Sequence, residues 1–142
     1  MSAYSRPGLA AEKSAEQMKN ALEARAEALG GDYVPVGAVR SGGMSEGQSV
    51  EFFEVLRRGA CYRILALGGD GITDLDLRVF KGGAQLAADQ GEVADPLAEY
   101  CADADIEVKL RLQLYAGHGP YALRLYAESR NAGSASEQEA SV

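Results

Sequence analysis

The stretch IEVKLRLQLY, Ile106 to Tyr115, alternates apolar and polar residues without a break. Ile106, Val108, Leu110, Leu112 and Leu114 fall on one side of an extended chain, and Glu107, Lys109, Arg111 and Gln113 on the other. Period two over this length commits the segment to a half-buried antiparallel strand. The surrounding chain supplies further strands. QSVEFFEVL and ACYRILALGG read as a hairpin across RRG, and TDLDLRVF and AQLAAD as a second hairpin across KGG. DYVPVGAVR is a short extended piece, SGGMSEG a loop and PLAEYC a short strand. AGHGP reads as a turn from the alternating strand into YALRLY. About eight strands at short spacing predict a mainly β chain: an antiparallel, jelly-roll-like β-sandwich of two sheets.

One segment breaks the pattern. LAAEKSAEQMKNALEARAEALGG is built from strong helix formers and stops at Gly30-Gly31. The layout is therefore an N-terminal helical segment over residues 1–31, a β domain over 32–128 and a polar tail over 129–142. Ala11, Ala15, Met18, Leu22, Ala26 and Leu29 share one helical face, on which Met18, Leu22 and Leu29 are the large residues. That narrow stripe is the expected interface: it docks on its own domain, pairs with another copy, or leaves the helix a solvated connector. A helix of this length is marginal alone in water. In VEFFEVL, Phe52 and Phe53 point to opposite faces, so one faces outward. The helix is expected to cover such a patch, in cis or across an oligomer.

Charge narrows the partners. At −7, with a pI near 4.7, the chain is repelled by phosphate backbones and by anionic membrane surfaces. No stretch approaches the roughly 20 apolar residues of a bilayer span. MSAYSRPG lacks the apolar core of a signal peptide, which taken literally means cytoplasm; a start codon added to a mature chain reads the same way. Cys61 and Cys101 are either two buried free thiols or one disulfide. Their even number and their places at strand edges favour the disulfide, which would close a loop of about 40 residues and contribute about 3–4 kcal/mol. A disulfide argues for a periplasmic, cell-surface or extracellular home.

The candidate sites are few. GGDGITDLDLRVFKGG holds Asp70, Asp74 and Asp76. It fails the EF-hand pattern, since glycine follows Asp70 directly and Ile72 takes a ligand position. The favoured role for Asp74 or Asp76 is to accept backbone N–H bonds from the glycine turn. Calcium is the one cofactor left open, on these three carboxylates. His118, between two glycines, reads as a surface-turn residue, with no nucleophile or orienting carboxylate in a recognisable motif beside it. Tyr115, His118 and Tyr121 could form a small sugar or peptide platform. No catalytic constellation can be assembled, so the chain reads as a non-enzyme.

Asp76-Leu77-Arg78-Val79-Phe80, Gly82-Gly83 and Gly119-Pro120-Tyr121-Ala122-Leu123-Arg124-Leu125 carry a resemblance. The block that holds them, from Glu46 to Tyr126, resembles the bacterial pre-peptidase C-terminal domain family and its stand-alone relatives. The resemblance implies an exported jelly-roll β-sandwich used as an accessory module, with calcium bound by some collagenase-associated relatives. A helix stands here where a peptidase would precede the module, and the cysteine pair is not a general family feature. The expected function is a non-enzymatic exported module acting through protein contacts, as a subunit of a surface or extracellular assembly. The alternative is a small-ligand or carbohydrate-binding module. Mass spectrometry of unreduced protein should find it two hydrogens lighter than the reduced chain. Two freely alkylated thiols in native-source protein would set the disulfide aside.

Overall fold

The computed structural model describes residues 7–129, with side chains from residue 15 onward. The elements in chain order are α1 (Pro7–Leu29), β1 (Tyr33–Ser45), β2 (Ser49–Leu56), β3 (Cys61–Gly68), β4 (Ile72–Lys81), β5 (Ala84–Asp89), β6 (Leu97–Cys101) and β7 (Ile106–Glu128). The chain is mainly β with one helix, and every strand pairing is antiparallel.

β7 organises the rest. The alternating segment does not turn at AGHGP; it continues to Glu128 as one strand. Among the described residues the strands therefore number seven, against the expected eight or so. Along one side of β7 run β2, with Leu56 opposite Ile106 and Ser49 opposite Gln113, and then β1, with Ser45 opposite His118 and Tyr33 opposite Glu128. SGGM is therefore part of β1 rather than a loop, and only a tight turn, closed by Gln48 N–H to Ser45 C=O at 3.0 Å, separates it from β2. Along the other side run β3, from Tyr62 opposite Ala127 to Gly68 opposite Tyr121, and β4, from Ile72 opposite Gly117 to Phe80 opposite Lys109. β5 and β6 form an outer ribbon along β4 and β3, joined by backbone bonds from Leu75 to Val93 and from Gly68 to Ala94.

Four ribbons thus lie side by side, and all change sheet along one line. The architecture is a single antiparallel sheet folded in half across that line. The RRG segment makes no hairpin: β2 and β3 lie on opposite sides of β7 and in opposite halves. Residues 57–60 instead cross the open end of the fold beside residues 102–105, tied by Gly59 N–H to Ala102 C=O at 2.8 Å and Ala102 N–H to Ala60 C=O at 2.9 Å. The KGG hairpin between β4 and β5 forms as the sequence predicts.

The crease explains the glycines of GGDG and AGHG. His118 N–H donates to the Gly71 carbonyl at 3.0 Å, and Gly69 N–H to the Pro120 carbonyl at 2.8 Å. At this approach a Cβ on Gly117 would overlap the Gly71 carbonyl oxygen, and one on Gly71 would overlap that of His118. Both glycines also have φ of +97°, a region closed to most side chains.

The alternating faces pack inside the fold. Tyr62, Ile64, Leu75, Leu77, Val79, Leu110, Leu112, Leu114, Leu123 and Leu125 form one core between the two halves. The outer face of the β1–β7–β3–β6 half carries a second apolar cluster, Leu65, Ala122 and Tyr126, and α1 covers it with Met18 and Leu22. The helix therefore docks in cis, and it does so on the half away from Phe53. Leu65 and Ala122 sit in the runs ILAL and YAL, apolar on both faces, as strands covered on both sides require. Gly30, at φ +74°, ends the helix. Arg25 reaches the Asp95 carboxylate at 2.7 Å and ties it to the β5–β6 connection. Cys61 and Cys101 face each other across β3 and β6 and form a disulfide.

Gly117→Ala should cost at least about 2–3 kcal/mol in chemical denaturation, since it meets backbone that cannot yield. Gly83→Ala, in the exposed β4–β5 turn with open space around it, should stay within about 0.5 kcal/mol of wild type.

Candidate interaction face

Among the described residues, no helix lies over the outer face of the other half, built by β2, the first part of β7 and β4. Register aligns its side chains in rows across the three strands. Phe53, Lys109 and Phe80 make one row, Glu51, Arg111 and Arg78 the next, and Ser49, Gln113 and Asp76 a third. Phe53 is 58% exposed, Val55 46% and Tyr115 45%. Large apolar residues this open on two neighbouring strands are unusual for a surface with no partner.

The charges on this face are fixed in place. Arg111 reaches Glu51 through both Nε and Nη2, each at 2.9 Å from Oε2, and Lys109 approaches the same oxygen at 3.5 Å. The Arg111 hydrogen bond leads in holding the Glu51 carboxyl below its ordinary value. Arg111 and Lys109 also lie 5.1 and 5.4 Å from the centre of the Phe80 ring, within cation–π range. Arg78 holds Gln113 at 3.2 Å, Tyr115 at 3.5 Å and Asp76 at 3.5 Å. The result is a preordered surface with an apolar edge at Phe53 and Val55 and a cationic centre, on a chain that is acidic overall.

The aspartates separate. Asp70 is exposed in the β3–β4 turn, Asp74 is half-buried, and Asp76 is buried at 5% exposure. They are not gathered as metal ligands: among the described residues, no group of three or more His, Cys, Asp or Glu could hold a metal ion. The expected bonds from the glycine turn to Asp74 or Asp76 are absent among the described residues: Gly68 N–H donates to the Ala94 carbonyl and Gly69 N–H to the Pro120 carbonyl instead. Asp76 pairs with Arg78, and one oxygen of Asp74 is buried without a partner. Burial is the first cause pushing the Asp76 carboxyl above its ordinary value; Arg78 pulls it down, and Asp74 and Asp89 push it up.

The structure does not bring Tyr115, His118 and Tyr121 onto one surface. Tyr115 lies on the outer face, and His118 is exposed at the crease rather than at a hairpin tip. Tyr121 is 5% exposed and packs in the core against Phe52. The change of sheet at Gly117 puts the two tyrosines on opposite sides. Met18 and Leu22 are buried under α1 and Leu29 is half-buried, so this stripe is an internal contact. The charged rows are the feature sequence reasoning left aside. Their signal was present as Lys109 and Arg111 on the polar face of β7 beside an outward phenylalanine.

No family model matches the chain, and no curated protein matches it. Its fold is shared with a lysozyme inhibitor. PliG of Aeromonas hydrophila, a periplasmic lysozyme inhibitor of g-type lysozyme, superposes with a TM-score of 0.50 over 70% of this chain and 89% of PliG, at 13% sequence identity. At that identity the likeness concerns the fold.

Asp76 yields a pH test. A carboxyl whose folded pKa lies above its unfolded value binds its proton more tightly in the folded state, so stability falls as pH rises through the window between them. That window opens at the ordinary value of about 4 and extends upward. Asp76→Asn should flatten this slope in urea denaturation and be at least as stable as wild type at neutral pH. An unchanged slope would show that Asp76 titrates normally.

Proposed function

We propose that the chain is an exported, non-enzymatic binding module that engages a folded protein through the outer face of β2, β7 and β4. The observation that carries this reading is the exposed Phe53, in register with the half-buried Lys109 and Phe80 and flanked by fixed charges, on the half of the sheet that α1 leaves bare. Exposed aromatics beside arginine are the composition of binding hot spots. The disulfide supports an oxidising compartment. PliG, with the same fold, is a periplasmic protein that inhibits another protein, and a module that works by occluding a partner needs no catalytic group of its own. We read the folded sheet as a jelly-roll-like sandwich whose halves enclose one core. Asp76–Phe80 and Gly119–Leu125, which carry the resemblance to pre-peptidase C-terminal domains, are β4 and the second part of β7 in this reading.

The partner proposed is a cell-wall lytic enzyme of the g-type lysozyme class. Titrating the protein into such a lysozyme should lower its rate of cell-wall hydrolysis in a saturable way. Phe53→Glu places a charge on the apolar edge of the contact and should weaken inhibition by about 10–100-fold, while leaving the melting temperature unchanged, since Phe53 is outside both cores. Absence of inhibition would remove this partner; inhibition unaffected by Phe53→Glu would remove this face.

A further inference from the structure

A cleft of about 340 Å³ opens between the C-terminal end of α1 and the sheet beneath it. Its volume is at the small end of the range for small-molecule sites. Apolar groups form much of its lining: Ala26 and Leu29 from the helix, Leu65 from β3 and Tyr33 from β1. Arg63 stiffens one wall, donating to the Gly30 carbonyl at 2.7 Å and stacking 3.9 Å from the centre of the Tyr33 ring.

The polar groups of the cleft are incompletely matched. Tyr126 is 5% exposed, and its hydroxyl is buried with no hydrogen-bond partner of good geometry. An unpaired buried hydroxyl is costly and uncommon. Burial leads in pushing its pKa up, so it stays protonated and able to donate. Arg124 pulls it back down, by its charge and by a weak approach of its guanidinium N–H to the hydroxyl oxygen, and Glu23 pushes it up. Arg124, a cross-strand neighbour of Leu65, is anchored by Nε to the Gly37 carbonyl at 3.0 Å. Its contact with the Glu23 carboxylate is loose, at 3.6 Å, and Glu23 is an exposed residue on the helix surface. A guanidinium fork, a hydroxyl donor and an apolar floor together fit a carboxylate attached to a compact hydrophobic body.

We propose that this cleft binds a small apolar carboxylic acid, whose carboxylate displaces Glu23 from Arg124 and accepts a hydrogen bond from Tyr126. Glu23 is then a built-in competitor: its carboxylate occupies Arg124 until a ligand replaces it. The site is separate from the protein-binding face and lies on the opposite half of the sheet.

The test is an NMR titration of the full chain with phenylacetate, and with phenylacetamide as the neutral control. Phenylacetate should give saturable shifts at Ala26, Leu65 and Tyr126, and phenylacetamide should bind about five- to tenfold more weakly. Glu23→Gln should tighten phenylacetate binding. Tyr126→Phe should weaken it several-fold while leaving the melting temperature of the free protein nearly the same, because the hydroxyl has no hydrogen bond of good geometry to lose. Arg124→Gln, a second route, should weaken it with the fold retained. The proposal fails if phenylacetate produces no saturable shifts. It also fails if the amide binds equally well, or if Glu23→Gln weakens binding.

Discussion

The backbone contact between Gly71 and Gly117 is the constraint on which the fold depends. Each ribbon of the sheet has to pass from one half to the other, and the two inner ribbons, β7 and β3–β4, do so in direct contact. Their carbonyls and N–H groups approach without side chains between them. Were the crease wider, the halves would diverge and the leucines of β4 and β7 would lose their packing partners. Sharp re-aiming of strands at bends is how one sheet comes to cover both sides of a core.

Folding a sheet in half creates two outer faces, and the chain treats them differently. One is apolar at Leu65, Ala122 and Tyr126 and takes the helix, whose stripe at Met18 and Leu22 has the width to fill it. The other is kept in solution by charge. Lys109 and Arg111 cover part of the Phe80 ring while their heads remain bound to Glu51. The helix thus serves as the missing outer layer of one half, and this leaves Phe53 and Val55 exposed on the other.

Much of this was legible in residue order. The alternation from Ile106 to Gln113 fixes which side chains enter the core, and the helix from its strong formers to Gly30 is equally clear. The crease was not legible, because AGHGP has the composition of a turn and only the neighbouring Gly71 backbone reveals it as a bend in a continuing strand. RRG misleads for a related reason: a short polar link between two strand patterns signals a hairpin locally, whereas the side of β7 each strand occupies is decided by distant pairings. The same gap hid the fate of Tyr115 and Tyr121, six positions apart and separated by the change of sheet. VEFFEVL shows that one phenylalanine faces outward, but which half the helix covers depends on ILAL and YAL, whose second apolar face is easily overlooked in a short run.

β7 is central to every ribbon yet is the last described strand to be synthesised. Until residues 106–128 leave the ribosome, β1 and β2 have no partner on either side, and β3 and β4 have only the outer ribbon. The nascent chain therefore carries β1 and β2 unpaired and one side of β3 and β4 as open edges, the condition in which chains aggregate. Pairing residue 33 with residue 128 closes nearly the whole described length in one step, so formation of the sheet waits on the slowest kind of contact. A protein built this way stays open along its described length until residues 106–128 are made, then closes from both sides onto one strand.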